Sequence, residues 1–172
     1  MAESRHGELY WHSPDPRAII PLDKVHPSRS QRAFERKAQP TYTIDARFAE
    51  VIRECARREE TWINDEIILN YEVLHSLGFA HSVEIYIDEK LVGGLYGVAL
   101  GGAFFGESMF SHVSNASKSA FFFLAEHLRR KGFVLLDTQY LNDHTASLGA
   151  IEISRASYLR KLRAALRLEV KF

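Results

Sequence analysis

Three strand-like runs that follow one another closely constrain this fold most: residues 81–87, 91–100 and 104–110. The first run alternates apolar and polar side chains, as a strand with one buried face does. Short turns at residues 88–90 and 101–102 separate the runs. Strands joined by such short turns pair antiparallel. The sequence therefore predicts an antiparallel meander in the middle of the chain.

Helical patterns lie on both sides of this meander. Apolar residues at helical spacing predict helices over residues 64–78 and 114–130. The continuous apolar run at residues 133–137 is typical of a buried central strand. The other predictions are a strand at 41–44, a helix capped by Asp45 through about Arg58, caps at Asn64 and at Ser114 or Asn115, helix ends at Gly78 and Gly132, a helix at 143–148, a strand at 151–153, and a helix capped by Ser154 through about Leu168.

The composition is that of a globular protein, and it limits the possible partners. Of 172 residues, 46% are hydrophobic, and 22 basic side chains balance 22 acidic ones. A chain with zero net charge lacks a bulk attraction for nucleic acid, so contact with RNA requires local basic patches, and DNA is not an expected partner. There is no signal peptide and no apolar run of membrane-spanning length. We therefore expect a cytoplasmic protein with no membrane partner.

Cysteine and histidine offer few sites for chemistry. Cys55 is the one cysteine, so an intrachain disulfide is impossible. It follows Val51 and Ile52 on an apolar helical face, which favours a position in the core. The eight histidines show no metal-ligand spacing, and we expect no metal site.

The first 40 residues differ from the rest of the chain. They are rich in proline, and the motif Ser13-Pro14-Asp15-Pro16-Arg17 must be extended or turning. A basic stretch with Arg29, Arg32, Arg36 and Lys37 follows, on a short helix or turn. We expect residues 1–40 to be an extended segment packed on a core domain formed by residues 41–172.

The predicted order of elements resembles the acyltransferase fold of the Gcn5-related N-acetyltransferases (GNAT). In that fold a helix follows the fourth strand, and an Asn-containing turn leads from the next strand into a helix near a glycine. Asn142 and Gly149 match this turn. The resemblance implies an α+β GNAT-like fold, with a mixed, mainly antiparallel central sheet flanked by helices.

Polar side chains stand where two of the predicted strands end. Asp137 and Gln139 lie two residues apart, so both side chains should face one side of the sheet. Glu107 occupies a similar place on the meander and comes near Asp137 if the two strands are neighbours. A carboxylate at the end of an apolar strand is costly without a purpose. A structural alternative is that loop backbone or an arginine satisfies these groups.

Longer motifs resemble the leucyl/phenylalanyl-tRNA–protein transferase family, whose members move an amino acid from a charged tRNA to a protein N-terminus. The matching segments are Trp11-His12-Ser13-Pro14-Asp15-Pro16-Arg17, Thr61-Trp62-Ile63, Ala80-His81-Ser82-Val83-Glu84, Gly93-Gly94-Leu95-Tyr96-Gly97-Val98-Ala99, Gly106-Glu107-Ser108-Met109-Phe110 and Leu141-Asn142-Asp143-His144-Thr145-Ala146-Ser147-Leu148-Gly149. The resemblance implies transfer of Leu, Phe or Met from aminoacyl-tRNA to proteins or peptides with an N-terminal Arg or Lys, which marks them for N-end-rule degradation.

The resemblance also implies roles for individual residues. Asp137, Gln139 and Glu107 would be catalytic. Asp137 would orient the attacking amine or accept its proton, and Gln139 would contact the ester or relay between amine and carboxylate. Glu107 would hold an ammonium group, either of the amino acid on tRNA or of the acceptor's basic side chain. The implied substrate-binding residues are Trp62, which would stack on the terminal adenine, Ser108 and Asn142, and the apolar Leu95, Phe104, Met109, Phe121 and Leu124. Arg36, Lys37 and Lys118 would bind tRNA.

Each of these assignments has a plainer alternative. Core packing would explain each apolar residue alone, a helix-start contact would explain Trp62, and a solvated basic face would explain Arg36 and Lys37. The run at residues 121–123 is bulkier than the family pattern and puts the transferred amino acid in doubt.

Coenzyme A is not the expected acyl carrier. Residues 111–118, where coenzyme A enzymes of this fold place a glycine-rich phosphate loop, contain no glycine. We therefore expect no cofactor, with aminoacyl-tRNA as a substrate. Family members usually carry an N-terminal domain before the Ser-Pro-Asp-Pro-Arg segment, which lies here close to residue 1. A different peptide or small-molecule acceptor, a non-catalytic tRNA- or degron-binding module, and coenzyme-A-dependent acyl transfer are the alternatives.

Overall fold

A computed structural model describes residues 10, 12–57 and 61–172. Trp11 and Arg58, which two sequence predictions include, lie outside the described residues. Within them, no helix is long and apolar enough to cross a membrane. The elements are β1 (Arg17–Ile20), a 3-10 turn (Leu22–Lys24), α1 (Arg29–Ala38), β2 (Thr41–Ile44), α2 (Phe48–Ala56), α3 (Asp65–Ser76), β3 (Ala80–Ile87), β4 (Lys90–Leu100), β5 (Ala103–Ser111), α4 (Ala116–Lys131), β6 (Leu135–Gln139), α5 (Asp143–Ser147), β7 (Ile151–Ile153) and α6 (Arg155–Ala165).

The described strands form one seven-stranded sheet in the order β2-β3-β4-β5-β6-β1-β7. The predicted meander is present as β3, β4 and β5, which pair antiparallel. Within the described part of the chain, β5 and β6 are the only parallel neighbours. The prediction of a mixed, mainly antiparallel sheet flanked by helices is confirmed.

The N-terminal segment enters the sheet, which we did not predict. Strand β1 lies between β6 and β7 and pairs antiparallel with both. The described part of residues 1–40 therefore contributes a strand to the sheet, followed by the 3-10 turn and α1. The strand escaped prediction because it is only four residues long, Pro16 and Pro21 flank it, and Ala18, Ile19 and Ile20 are all buried, so it shows no alternation.

Apolar side chains on both faces of the sheet hold the helices. On β4, Leu95 packs into the cluster beneath α4, whereas its neighbour Tyr96 packs into the cluster beneath α2 and α3. On β6, Leu136 joins the first cluster, and Leu135 contacts α6 through Tyr158. Successive strand residues point to opposite faces, so the sheet is buried on both sides. Cys55 lies in the α2 cluster, as expected of a core residue.

Most predicted helix ends are confirmed, with one clear correction. The side chains of Asn64 and Ser154 accept hydrogen bonds from the first turns of α3 and α6, and Gly132 ends α4 in a left-handed conformation. Asp45 does not cap α2, which begins after Arg47. The Asp45 backbone is left-handed, and its carboxylate instead accepts a hydrogen bond from the Ser82 amide at 2.8 Å.

The position of the functional site follows from a divergence of two parallel strands. The register of β5 and β6 runs from Ala103↔Leu135 to Phe105↔Asp137. Beyond that point β5 continues to Ser111 along β4, while β6 ends at Gln139. Two parallel strands that separate leave an opening at their carboxyl ends, and ligands of α/β sheets bind at such openings.

One close backbone approach within this sheet allows a stability prediction. A Cβ atom added to Gly97 would overlap the Phe105 carbonyl oxygen and the Phe104 ring. We expect Gly97→Ala to lower the free energy of unfolding by about 1–3 kcal/mol, the usual cost of overpacking. Urea unfolding followed by circular dichroism measures this change.

The cross-strand partner of Gly97 is the matched control. Gly106 pairs directly with Gly97, and a Cβ atom there would meet only the Asp137 carbonyl oxygen, at 3.5 Å. Gly106→Ala should therefore leave the unfolding midpoint unchanged or slightly raised. Equal losses from both substitutions would contradict the packing argument.

Candidate active site

A cavity of about 650 Å³ fills the opening between β5 and β6. Its walls come from α2, β4, β5, β6, α4 and α5. One side is apolar, with Leu95, Met109, Phe121, Leu124 and Leu136. The other side carries the polar residues of the two strand ends. We call this space the first cavity.

A second cavity, of about 640 Å³, adjoins the first. One wall is the face of α3, and the other is formed by residues 10, 12, 14 and 17 of the N-terminal segment. Four residues line both cavities: Trp62, Glu107, Gln139 and Tyr140. The two spaces therefore meet at Glu107 and Gln139, two of the three residues that were predicted to be catalytic.

Asp137 is the most constrained group of the site. It is completely buried and is not among the residues that line either cavity. Arg17 donates to its carboxylate from Nε (3.0 Å) and Nη2 (2.8 Å), and the Tyr158 hydroxyl donates at 2.6 Å. The Gln139 amide donates to it at 2.8 Å. With both oxygens engaged, Asp137 is placed to fix the backbone of Gln139 and not to meet a substrate.

The hydrogen bond to Asp137 fixes the backbone of Gln139 and thereby positions the Gln139 side chain. Its backbone is left-handed, with φ 66°, and the strand ends there. Its side-chain nitrogen lies 3.3 Å from the Gly106 carbonyl oxygen and 3.3 Å from the Glu107 carboxylate, and it donates to both. The carboxamide oxygen can then accept a hydrogen bond from a group in either cavity.

Glu107 lies at the junction, as expected if β5 and β6 are neighbours. Burial raises the pKa of its carboxyl above the usual value, and the negative charge of Asp137 raises it further. Hydrogen bonds from Gln139 and Tyr71 favour the ionised form but do not cancel the effect of burial. An incoming ammonium group would compensate this carboxylate, because an opposite charge restores what desolvation takes away.

Three residues of the site were not assigned functions from the sequence. Burial alone would lower the pKa of Arg17, but the hydrogen bonds and charge of Asp137 outweigh burial and raise it. Burial raises the pKa of Tyr158 and of Tyr71, so both phenols stay protonated donors. Arg17 stood within the quoted Pro-rich motif. The two tyrosines had no signal beyond their helices, because their contacts join distant parts of the chain.

The predicted apolar residues separate into two groups. Leu95, Met109, Phe121 and Leu124 line the first cavity. Phe104 does not: it is completely buried and stacks against Phe172 with ring centroids 5.3 Å apart. Its assignment to substrate binding is therefore corrected to a core position. Its ring fits there because Gly97, on the paired strand, has no side chain.

The phenylalanine run contributes one ring to the cavity. Phe122 and Phe123 are not among its lining residues. Phe123 instead stacks on Tyr42 at 4.7 Å between ring centroids. The extra bulk at residues 122 and 123 therefore lies outside the first cavity.

The predicted polar substrate contacts all reach the first cavity. Trp62, Ser108 and Asn142 line it, and Trp62 also lines the second cavity. The Asn142 side chain accepts a hydrogen bond from the Thr145 amide at 2.8 Å, so it also caps α5.

The predicted tRNA-binding residues lie outside both cavities. Arg36 and Lys37 are exposed in the last turn of α1, and Lys118 is half-buried in the first turn of α4. Gln31 joins these two helices, because its side chain donates to the Ser119 hydroxyl at 2.5 Å. The basic face of α1 is thereby fixed beside the start of α4, whose Ser117 lines the first cavity.

No group of three or more metal-binding side chains is present among the described residues. Helix α4 begins at Ala116, with Asn115 left-handed and without a side-chain cap.

Comparison with known proteins identifies the family. The family model for leucyl/phenylalanyl-tRNA protein transferase matches residues 19–163. The chain belongs to this family. It is 51% identical over 172 residues to the leucyl/phenylalanyl-tRNA–protein transferase of Gloeobacter violaceus, covering 100% of this chain and 89% of that protein. The corresponding protein of Dinoroseobacter shibae is 51% identical over 167 residues, with 96% and 75% covered.

Solved structures agree on the fold. FemX superimposes with a TM-score of 0.57 at 13% identity, over 87% of this chain and 64% of that one. L-PGS from Bacillus licheniformis gives a TM-score of 0.51 at 13% identity, over 87% and 56%. At such low identity these similarities show the fold alone, and that fold is of the GNAT-like acyltransferase type.

Loss of the Arg17 guanidinium should destabilise the protein. We expect Arg17→Met to lower the free energy of unfolding by about 3 kcal/mol, because it leaves the buried Asp137 carboxylate without its cation. Urea unfolding measures the change. The matched control is Arg53→Met, which breaks the exposed Arg53–Glu72 pair and should cost less than about 1 kcal/mol. Similar costs for the two would argue against a structural role for the buried pair.

The raised pKa of Glu107 predicts a pH-dependent change in stability. A carboxyl whose pKa is higher in the folded than in the unfolded state stabilises the fold below its ordinary pKa, and this contribution is lost as pH rises through the raised value. Glu107→Gln removes that loss. We expect the variant to match the wild type near pH 4 and to be more stable at pH 8.

Urea unfolding at several pH values measures this difference. Glu50→Gln is the control, because Glu50 lies in an exposed pair with Arg47. A Glu107→Gln variant whose stability relative to the wild type falls as pH rises would contradict the raised pKa of Glu107.

Proposed function

We propose that this protein transfers Leu, Phe or Met from aminoacyl-tRNA to the α-amine of an N-terminal Arg or Lys of a protein or peptide, marking it for N-end-rule degradation. The observation that carries the proposal is the meeting of two cavities at Glu107 and Gln139. A reaction between two large substrates needs two binding spaces that open on one reacting centre. Membership of the transferase family supports this chemistry.

The first cavity suits the aminoacyl end of the tRNA. Its apolar side, formed by Leu95, Phe121 and Leu124 with Met109, offers a place for a Leu, Phe or Met side chain. A flexible thioether such as that of Met109 adapts to more than one shape. Trp62 at the junction offers a flat face for the terminal adenine.

The transfer step exchanges an ester for an amide. The neutral α-amine of the acceptor attacks the ester carbonyl carbon, and a C–N bond forms. The C–O bond to the tRNA ribose breaks, and the proton lost by the amine ends on the ribose oxygen. The protein must therefore place the amine, accept or relay its proton, and protonate the leaving oxygen.

Gln139 is the group that we assign to the attacking amine. Its nitrogen is engaged with Glu107 and the Gly106 carbonyl, so its oxygen is the free acceptor for the amine. Glu107 would hold the ammonium group of a substrate before the reaction. Asp137 would act through Gln139 as a positioning residue, with Arg17 and Tyr158 fixing its carboxylate.

The tRNA body would be held outside the cavities. Arg36 and Lys37 present two cations on the exposed end of α1, and Lys118 adds one at the start of α4. Cations on a chain of zero net charge must act as a local patch, because no overall attraction for phosphate exists. We further propose that no cofactor is required and that the reaction takes place in the cytoplasm, where charged tRNA is made.

A transfer assay tests the proposal. Labelled Leu, Phe or Met on purified tRNA is mixed with peptides that begin with Arg or Lys, and we expect label on the peptides. Gln139→Ala should lower kcat about 10²- to 10³-fold, since it removes the acceptor for the amine proton. Retention of charged tRNA on filters should change much less.

Two results would count against the assignment. Full transfer by Gln139→Ala would remove Gln139 from the mechanism. Binding of charged tRNA by the wild type without label on any such peptide would favour another acceptor.

A further inference from the structure

The second cavity has a polar wall that the reaction itself does not use. Five residues on one face of α3 line it: Glu66, Ile67, Asn70, Tyr71 and Leu74. Residues 66, 70 and 74 repeat every fourth position, which places them in one row along the helix. The row begins with a carboxylate and an amide at the outer end and becomes apolar further along.

The charged side chains of this cavity differ in whether they already have an ion-pair or hydrogen-bond partner. Apart from tyrosines, its titratable lining residues are His12, Arg17, Glu66 and Glu107. Arg17 is paired with Asp137, and Glu107 is hydrogen-bonded to Gln139 and Tyr71. Among the described residues, Glu66 has neither an ion pair nor a side-chain hydrogen bond. In the described part of the chain, it is therefore a carboxylate of this cavity without a partner, and it can accept a cation in addition to the one that we assign to Glu107.

The spacing of Glu66 and Tyr71 along α3 matches the reach of a long side chain. Tyr71, which hydrogen-bonds to Glu107, lies five positions after Glu66 on α3. Five helical residues span about 7.5 Å along the axis. An acceptor whose α-amine lies at Glu107 and Gln139 would need an extended side chain to bring a charge to Glu66. Arginine and lysine combine that length with a positive charge.

We propose that the second cavity is the acceptor subsite and that Glu66 selects a cationic first residue by pairing with its guanidinium or ammonium group. This rests on the proposed function and adds to it a residue that determines acceptor specificity. Glu107 is then reserved for the amine that reacts, and Glu66 for the charge at the far end of the same residue.

The test compares acceptor peptides that begin with Arg or with citrulline, which has nearly the same shape without the charge. We expect Glu66→Gln to lower kcat/KM for the Arg peptide about three- to tenfold, between the effects of an exposed ion pair and of a charged hydrogen bond. Its kcat/KM for the citrulline peptide should stay within about twofold. Glu66→Asp keeps the charge and should retain a preference for Arg over citrulline.

The matched control is Asp65→Asn. Asp65 precedes Glu66 in the exposed first turn of α3 and does not line either cavity. It should therefore leave both peptides unaffected, even though both substitutions remove a negative charge from the same helix end.

Three outcomes would decide the matter against Glu66. An equal loss for both peptides in Glu66→Gln, no loss for either, or the same loss in Asp65→Asn would overturn its role in selection, while transfer by the wild type would leave the proposed function intact. If the wild type transferred no amino acid to any peptide, the proposed function itself would fail. A drop confined to Glu66→Gln with the Arg peptide supports the inference.

Discussion

The buried ion pair between Arg17 and Asp137 organises this molecule. It joins β1 to β6, and the hydroxyl of Tyr158 brings α6 to the same carboxylate. A fully buried carboxylate is tolerated only when its charge is compensated and its oxygens accept hydrogen bonds. The pair therefore requires three elements from the two ends of the chain to meet at one point. That point lies directly behind the junction of the two cavities.

The hydrogen bonds around Asp137 determine the backbone conformation at the end of β6. One Asp137 oxygen accepts a hydrogen bond from the backbone amide of Gln139. At Gln139 the backbone is left-handed. For a residue other than glycine this conformation needs support from its surroundings. On one side Asp137 accepts a hydrogen bond from the Gln139 backbone amide, and on the other side Gly106 and Glu107 accept hydrogen bonds from its side chain. The strand thus stops where its last side chain can reach the neighbouring strand across the opening.

Local patterns in the sequence predicted most of the sheet and the chemical core of the site. The meander and the strand at 151–153 were predicted from alternation and turns. Polar groups at strand ends predicted that Glu107 comes near Asp137 if the two strands are neighbours. Strand β1 and the contacts of Tyr158 were not predicted, since four buried residues show no period and a contact between residues 137 and 158 is a tertiary event. For Phe104, neither its closeness in sequence to the polar residues nor the family resemblance distinguished a cavity wall from the core.

The different roles of Asp137, Glu107 and Glu66 follow from how far each carboxylate is exposed to solvent. Both carboxylate oxygens of Asp137 already accept hydrogen bonds, so its role is to position the residues around it. Glu107 is half-buried, and burial raises the pKa of its carboxyl, so ionisation costs more in the folded protein than in water. A purely structural position would gain from an uncharged side chain, so retention of a carboxylate at the junction is best explained by a cation that arrives with a substrate. Glu66 is exposed and costs the fold little, which suits a group that selects among substrates without taking part in the reaction.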